Sequence, residues 1–147
     1  MTDASIDVTD VDLEAEDVPS SYVPFRNANM LAIAASWAEI IGASKIYIGV
    51  VAEDSSGYPD CRPGFIEAFE KMIDAGTKPE TDIKLVTPLI ELSKSDIVTK
   101  GIELGAPLEL TWFCYRNNDL ACGTCDSCAL RLRRFDQAGY PDPITYE

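Results

Sequence analysis

Four cysteines, Cys114, Cys122, Cys125 and Cys128, follow one another at gaps of seven, two and two residues in a chain that contains no histidine. Brought together, four thiolates form the tetrahedral all-sulfur set that zinc prefers, with Zn–S bonds of about 2.3 Å. Gly123 relieves the tight turn after Cys122. Asp126 and Ser127 lie where a following helix begins, so its N–H groups could point at the sulfurs. With every coordination position filled by protein, a zinc held this way is structural and not catalytic. The same set also suits an iron–sulfur cluster, and paired cysteines suit a redox dithiol. Disulfides fit poorly with a cytoplasmic chain.

The missing histidine narrows the chemistry further. Ser-His-Asp and Cys-His catalysis are excluded, and acid–base work falls to carboxylates, Lys, Tyr or the substrate itself. At 147 residues the chain has room for one domain with a real core. No run approaches the roughly 20 apolar residues of a membrane span, and the N-terminus lacks the pattern of a signal peptide. Cytoplasmic localisation, with no membrane partner, is the expectation.

Charge is unevenly spread. Seven of the 25 acidic residues precede Pro19, and no Lys or Arg precedes Arg26. Residues 1–20 therefore read as an acidic, solvated leader, and 21–147 as the folded body with its cysteine knuckle at 112–130. The remainder still carries 18 acidic against 12 basic residues. Such a surface repels phosphate backbones, so nucleic acid is not an expected partner.

Periodicity places a helix from Asn27 to Ile41, with Met30, Leu31, Ala34, Trp37, Ala38 and Ile41 at helical spacing and Gly42 as a left-handed stop. Trp37, and Phe69 on the next helix, are expected in the core. Lys45–Val51 reads as a strand buried on both faces, the habit of parallel sheets. A second helix is expected from Pro63 to Ala75, a strand at Ile83–Val86, a third helix from Ser93 and a last one over Asp126–Ala138. The order is that of an α/β fold. Two strands are too few, since such sheets usually have about four to six.

The loop after the first strand leaves its carboxyl end, where open α/β sheets bind ligands. Asp54, Tyr58, Asp60 and Arg62 crowd it, a set able to hold a purine-like base, a magnesium ion or a carboxylate, and equally able to be a solvated turn. Cys61 within it is either a packed small residue or a reactive thiol. Arg26 and Asn27 suit helix capping or anion binding. Lys94, at a helix start, suits a phosphate or plain solvent.

Val23-Pro-Phe-Arg-Asn27, Ile46-Tyr-Ile-Gly49, Asp54-Ser-Ser-Gly-Tyr-Pro-Asp-Cys-Arg-Pro63, Thr87-Pro-Leu-Ile90, Ser93-Lys94, Thr111-Trp112 and Asp126-Ser-Cys-Ala-Leu-Arg131 occur in this order beside the cysteine knuckle. Together they resemble the 7-cyano-7-deazaguanine synthases of queuosine biosynthesis, over about Val23 to Pro143. The resemblance implies a Rossmann-like fold of the adenine nucleotide alpha hydrolase type, with a parallel sheet. It also implies a ligase that uses Mg-ATP and ammonia to turn 7-carboxy-7-deazaguanine into the nitrile. The carboxylate is adenylated, ammonia gives an amide, and a second activation permits dehydration. By the same resemblance Arg26, Asn27, Tyr58, Cys61 and Arg62 surround the substrate. Asp54, Asp60 and Lys94 are the catalytic candidates, Lys94 toward the phosphates, and zinc falls on Cys114, Cys122, Cys125 and Cys128.

One departure stands out. Those synthases open with a strand and a Ser-Gly-Gly-x-Asp-Ser loop that grips pyrophosphate, whereas here no glycine precedes Gly42. The chain therefore resembles the C-terminal two-thirds of the enzyme, with the sheet incomplete on that side. A homo-oligomer, or a complex with an N-terminal pyrophosphate-loop fragment, is expected. A zinc-stabilised binding or scaffold protein without catalysis, and a ligase for another carboxylate, are the competing readings.

Overall fold

The computed structural model describes residues 22–51 and 58–147. The acidic leader and Asp54 lie outside the described residues. The described chain divides into two compact units, one ending at Ser93 and the other running from Lys94 to Glu147.

The first unit is built as α1 (Arg26–Ile41), β1 (Lys45–Tyr47), a 3-10 turn (Pro59–Cys61), α2 (Pro63–Gly76) and β2 (Lys84–Val86). The two strands are parallel, pairing Lys45 with Lys84, Ile46 with Leu85 and Tyr47 with Val86. Connecting parallel strands requires a long crossover, and α2 lies on it. On β2 the Leu85 N–H donates at 2.8 Å to the Glu70 carboxylate of α2, so this backbone donor is satisfied by a side chain and not by another strand. Glu39 of α1 accepts from the Lys78 N–H at 2.8 Å and the Thr81 hydroxyl at 3.2 Å, tying the α2–β2 connection to α1. Gly42 ends α1 at φ 68°, in the left-handed region expected of it.

The core gathers Leu31, Val50, Ile66, Phe69, Ile73 and Ile83 with the small residues Ala28, Ala35 and Ala38. Two expectations are corrected by this packing. Trp37 is 66% exposed, because α1 packs through Ala28, Leu31, Ala35 and Ala38 and turns Met30, Ile33, Trp37 and Ile40 outward. Small side chains let the helix approach its neighbours closely, which the larger stripe would not. The strand expected to be buried on both faces is only three residues long and leaves Tyr47 65% exposed; burial is concentrated just beyond it, at Val50 and Val51. Phe69 is buried, packing against Phe65 with ring centroids 5.6 Å apart.

The second unit contains α3 (Lys94–Glu103), a 3-10 turn at Leu108–Leu110, the cysteine loop, α4 (Asp126–Ala138) and a terminal segment. Helices α3 and α4 pack on one another. Gly139 stops α4 at φ 76°. Among the described residues no helix is long and apolar enough to cross a membrane.

Candidate metal centre and ligand loop

The four sulfurs converge. All of the Cys114, Cys122, Cys125 and Cys128 sulfurs lie within 4.8 Å of one another, and none of these cysteines is in a disulfide. A tetrahedron with metal–sulfur bonds of about 2.3 Å has edges of about 3.8 Å. The 4.0 Å separation of the Cys122 and Cys128 sulfurs is close to that edge and about twice the 2.05 Å of a disulfide bond. The donor set therefore fits a tetrahedral, thiophilic ion.

Local geometry explains the convergence. Gly123 sits at φ 70°, a left-handed turn that L side chains rarely adopt, and brings Cys125 back toward Cys122. Cys125 precedes α4, and the first turn of that helix carries Cys128 inward. Backbone N–H groups face the sulfurs. Asn117 and Cys122 donate to the Cys114 sulfur at 3.3 and 3.5 Å, and Cys125 donates to the Cys122 sulfur at 3.3 Å. These donors come from the loop turns that precede α4.

Those donors set the protonation. Burial raises the Cys122 pKa, but the Cys125 and Thr124 N–H groups and the Thr124 hydroxyl bring it down to about 6. Burial also raises that of Cys114, and the N–H groups of Cys122, Asn117 and Arg116 bring it below the ordinary thiol value. Cys128 moves the opposite way, pushed up by burial and by its neighbour Cys125. Four thiolates this close repel one another in a buried site, so full ionisation requires a cation in their midst.

A second arrangement in this unit has no signature in the residue spacing. Arg131 of α4 donates from Nε to one Asp142 oxygen at 2.6 Å and from Nη2 to the other at 2.9 Å, both side chains being almost wholly covered. The Tyr146 hydroxyl donates to the same carboxylate at 2.6 Å. Burial raises the Asp142 pKa, but the Arg131 and Tyr146 donors outweigh it and hold the carboxyl below the ordinary range. Asp142 lies between Pro141 and Pro143, a turn signal that marks the spot without revealing its partners.

In the first unit, the candidates for the ligand loop gather at the start of α1. Asp60, 4% exposed, accepts the Asn27 backbone N–H at 2.8 Å, and the Asn27 amide donates to the Asp60 carbonyl at 3.2 Å and the Cys61 sulfur at 3.4 Å. Arg26 places its guanidinium 5.9 Å from the Tyr58 ring centroid. Phe25, just before α1, adopts φ 58°, an uncommon left-handed conformation for a bulky residue, and is exposed. Arg26, Asn27, Tyr58, Asp60 and Cys61 thus share one locality, and Arg62 follows as the residue that leads into α2. Lys94 opens α3 in the other unit.

Asp60 carries a testable consequence. Its carboxylate is the oxygen acceptor that caps α1, since Phe25 supplies no side-chain cap. Asp60→Ala should cost about 1.5–3 kcal/mol by leaving that N–H without its charged acceptor. Urea denaturation monitored by hydrogen exchange in α1 would read it. An unchanged midpoint would remove the capping role.

A parallel α/β unit followed by four cysteines positioned to hold a metal defines an α/β protein with a candidate tetrathiolate knuckle. The chain belongs to the family described as queuosine biosynthesis protein QueC, whose model matches residues 1–139. It is 62% identical over its whole length to the 7-cyano-7-deazaguanine synthase of Chlorobium chlorochromatii, covering 64% of that protein. Against the synthase of Chlorobaculum parvum it is 58% identical, covering all of this chain and 65% of the relative. The synthase of Haloarcula marismortui is 55% identical over 146 residues, 99% of this chain and 63% of the relative. The chain thus spans a little under two-thirds of the length of the curated relatives it matches.

Proposed function

We propose that this chain is the zinc-bearing part of a 7-cyano-7-deazaguanine synthase, an ATP-dependent ligase that makes the nitrile from 7-carboxy-7-deazaguanine and ammonia. The observation that carries the reading is identity of 55–62% over essentially the whole chain to proteins bearing that name. In this reading the substrate carboxylate attacks ATP, releasing pyrophosphate and leaving an acyl-adenylate. Ammonia displaces AMP to give the amide. The amide oxygen then attacks a second ATP, releasing pyrophosphate and a proton to leave an adenylated imidate, and loss of AMP and a second proton gives the nitrile. Each activation replaces a poor leaving group, oxide, with a good one.

The site geometry supports specific roles. The Arg26 guanidinium, at the start of α1, suits the anionic carboxylate, and Asn27, whose amide donates to the Asp60 carbonyl and the Cys61 sulfur, borders it and holds the loop in place. Tyr58 offers a flat face for a purine-like ring. The Asp60 carboxylate is engaged with Asn27, which favours a positioning role for it and leaves proton transfer to Asp54 or the substrate. Cys61 and Arg62 border the same place, and Lys94 is assigned to phosphate.

Zinc is the ion assigned to the tetrathiolate, in a closed structural site whose role is to hold the knuckle and not to react. Such thiolates belong in the reducing cytoplasm. The 147 residues contain no Ser-Gly-Gly-x-Asp-Ser segment, so ATP and magnesium would be gripped by a segment supplied outside this sequence. The outward Met30, Ile33, Trp37 and Ile40 stripe supports that partnership, since a helix apolar on both sides is usually covered on both.

The deciding experiment supplies 7-carboxy-7-deazaguanine, ammonium and Mg-ATP to the chain with and without a pyrophosphate-loop fragment, and seeks the nitrile by mass spectrometry. Product only with the fragment is expected. No product from two folded, associated pieces would overturn the synthase reading.

A further inference from the structure

The last residues of the chain contact the metal centre from outside the ligand set. The Ala121 N–H donates to the Thr145 carbonyl at 3.0 Å, and the Glu147 N–H donates to the Ala121 carbonyl at 3.0 Å, making a parallel bridge between Ala121 and Tyr146. Ala121 is wholly buried and immediately precedes the ligand Cys122. Ile144 and Tyr146 pack against the cluster formed by Ala121 and the cysteines. The Tyr146 ring lies over the turn between Cys122 and Cys125, 3.7 Å from where a Cβ on Gly123 would stand. Farther along the loop, the Asn117 amide donates to the Glu147 carboxylate at 2.9 Å, while the Asn117 N–H donates to the Cys114 sulfur.

At its other end this segment is fastened to the helix that carries Cys128. Arg131, three residues beyond that ligand, grips Asp142 through two hydrogen bonds, and Asp142 also accepts from the Ile144 N–H at 3.3 Å. The guanidinium is itself held by the Thr111 hydroxyl at 2.6 Å and the Leu108 carbonyl at 3.3 Å, and it stacks 5.0 Å from the Phe135 ring centroid. The segment from Asp142 to Glu147 therefore joins the loop bearing Cys114 and Cys122 to the helix bearing Cys128. For the ion to leave, those two ligand-bearing parts must separate, and the segment resists it.

We infer that residues Asp142 to Glu147 form a clasp over the tetrathiolate, with Asp142 and Tyr146 as positioning residues that set how slowly the metal is released. The inference rests on the zinc reading of the site. Groups that orient ligands from outside the coordination sphere commonly change metal affinity roughly 10–100-fold. A buried bidentate arginine–carboxylate pair holds its geometry more tightly than an exposed one.

The test uses the full chain loaded with zinc and challenged with excess EDTA, release being followed with a metallochromic dye. Asp142→Asn should speed release roughly tenfold. Tyr146→Phe, which removes one hydroxyl and keeps the ring, should speed it less but in the same direction. Val98→Ala thins the α3 packing of the same unit outside the cysteine cluster, and should leave release unchanged. Cobalt-loaded Asp142→Asn should also shift the visible absorption bands of the tetrathiolate. Wild-type release rates in both clasp variants, or equal acceleration by Val98→Ala, would overturn the clasp; should Asp142→Asn fail to fold, Tyr146→Phe alone decides. Wild-type protein that takes up no zinc would overturn the metal assignment and the clasp together.

Discussion

Replacing Cys125 with Ser should take zinc from one ion per chain to almost none, and the knuckle should lose its fixed structure with it. Cys125 is fully buried and lies between the Gly123 turn and the start of α4. A serine there offers a hydroxyl, which is protonated at neutral pH and a poor partner for a thiophilic ion. Structural zinc in small thiolate domains contributes about 10–16 kcal/mol of apparent binding free energy at neutral pH, comparable to or larger than a whole domain's usual net stability. The loss should therefore appear as rapid hydrogen exchange across 111–130, with zinc content read by atomic emission. Exchange in α1 and α2 should change much less, because those helices have their own core. Acid should mimic the substitution, since thiolates that take up protons release the ion. Full zinc content and unaltered exchange in Cys125→Ser would eliminate the structural-metal assignment.

Phe69→Ala and Trp37→Ala should differ sharply, although the two aromatics look alike in the sequence. Phe69 is 6% exposed and packs in the α1–α2 core, whereas Trp37 is 66% exposed. Truncating a buried phenylalanine removes the transfer free energy of the ring and leaves a cavity, a cost of about 3–5 kcal/mol. Truncating the exposed tryptophan should move stability by no more than about 0.5 kcal/mol in the isolated chain. Denaturant-dependent hydrogen exchange in α1 and α2 separates the two. If Trp37→Ala instead lowered the affinity for an added pyrophosphate-loop fragment without changing the chain's own stability, the outward stripe would be identified as the contact for that partner. Equal destabilisation by both substitutions would contradict the alanine-side packing of α1.

The readable parts of the fold are those written within a few residues. The cysteine spacing and Gly123 act locally, so the convergence of the four sulfurs is legible from the spacing. Helix α4 runs from Asp126 to Ala138, the span expected of it, and Gly139 stops it in the left-handed region. Gly42 marks the end of α1 for the same reason: a left-handed stop depends on one residue's own backbone freedom. The parallel pairing of two apolar segments separated by a helix is also evident, because a crossover of that length leaves few alternatives.

Choices between equivalent local signals fall instead to long-range packing. Helix α1 has two apolar stripes, and periodicity cannot say which one packs; the alanine-rich stripe wins because small side chains permit close approach to neighbours remote in sequence. Asp60 reads as one more loop carboxylate until the fold sets it against Asn27, 33 residues away, where burial turns it into a helix cap. Arg131 has no acidic partner within a few residues of it in the sequence, and only the return of Asp142, with Tyr146 beside it, supplies one. A spacing rule fixes what neighbouring residues can share, and a long-range contact depends on where the rest of the chain puts its surfaces. The order of residues thus dictates the sulfur set and the helical frame. Which faces are covered, and which segment packs against the four cysteines, follow only from distant segments folding onto one another.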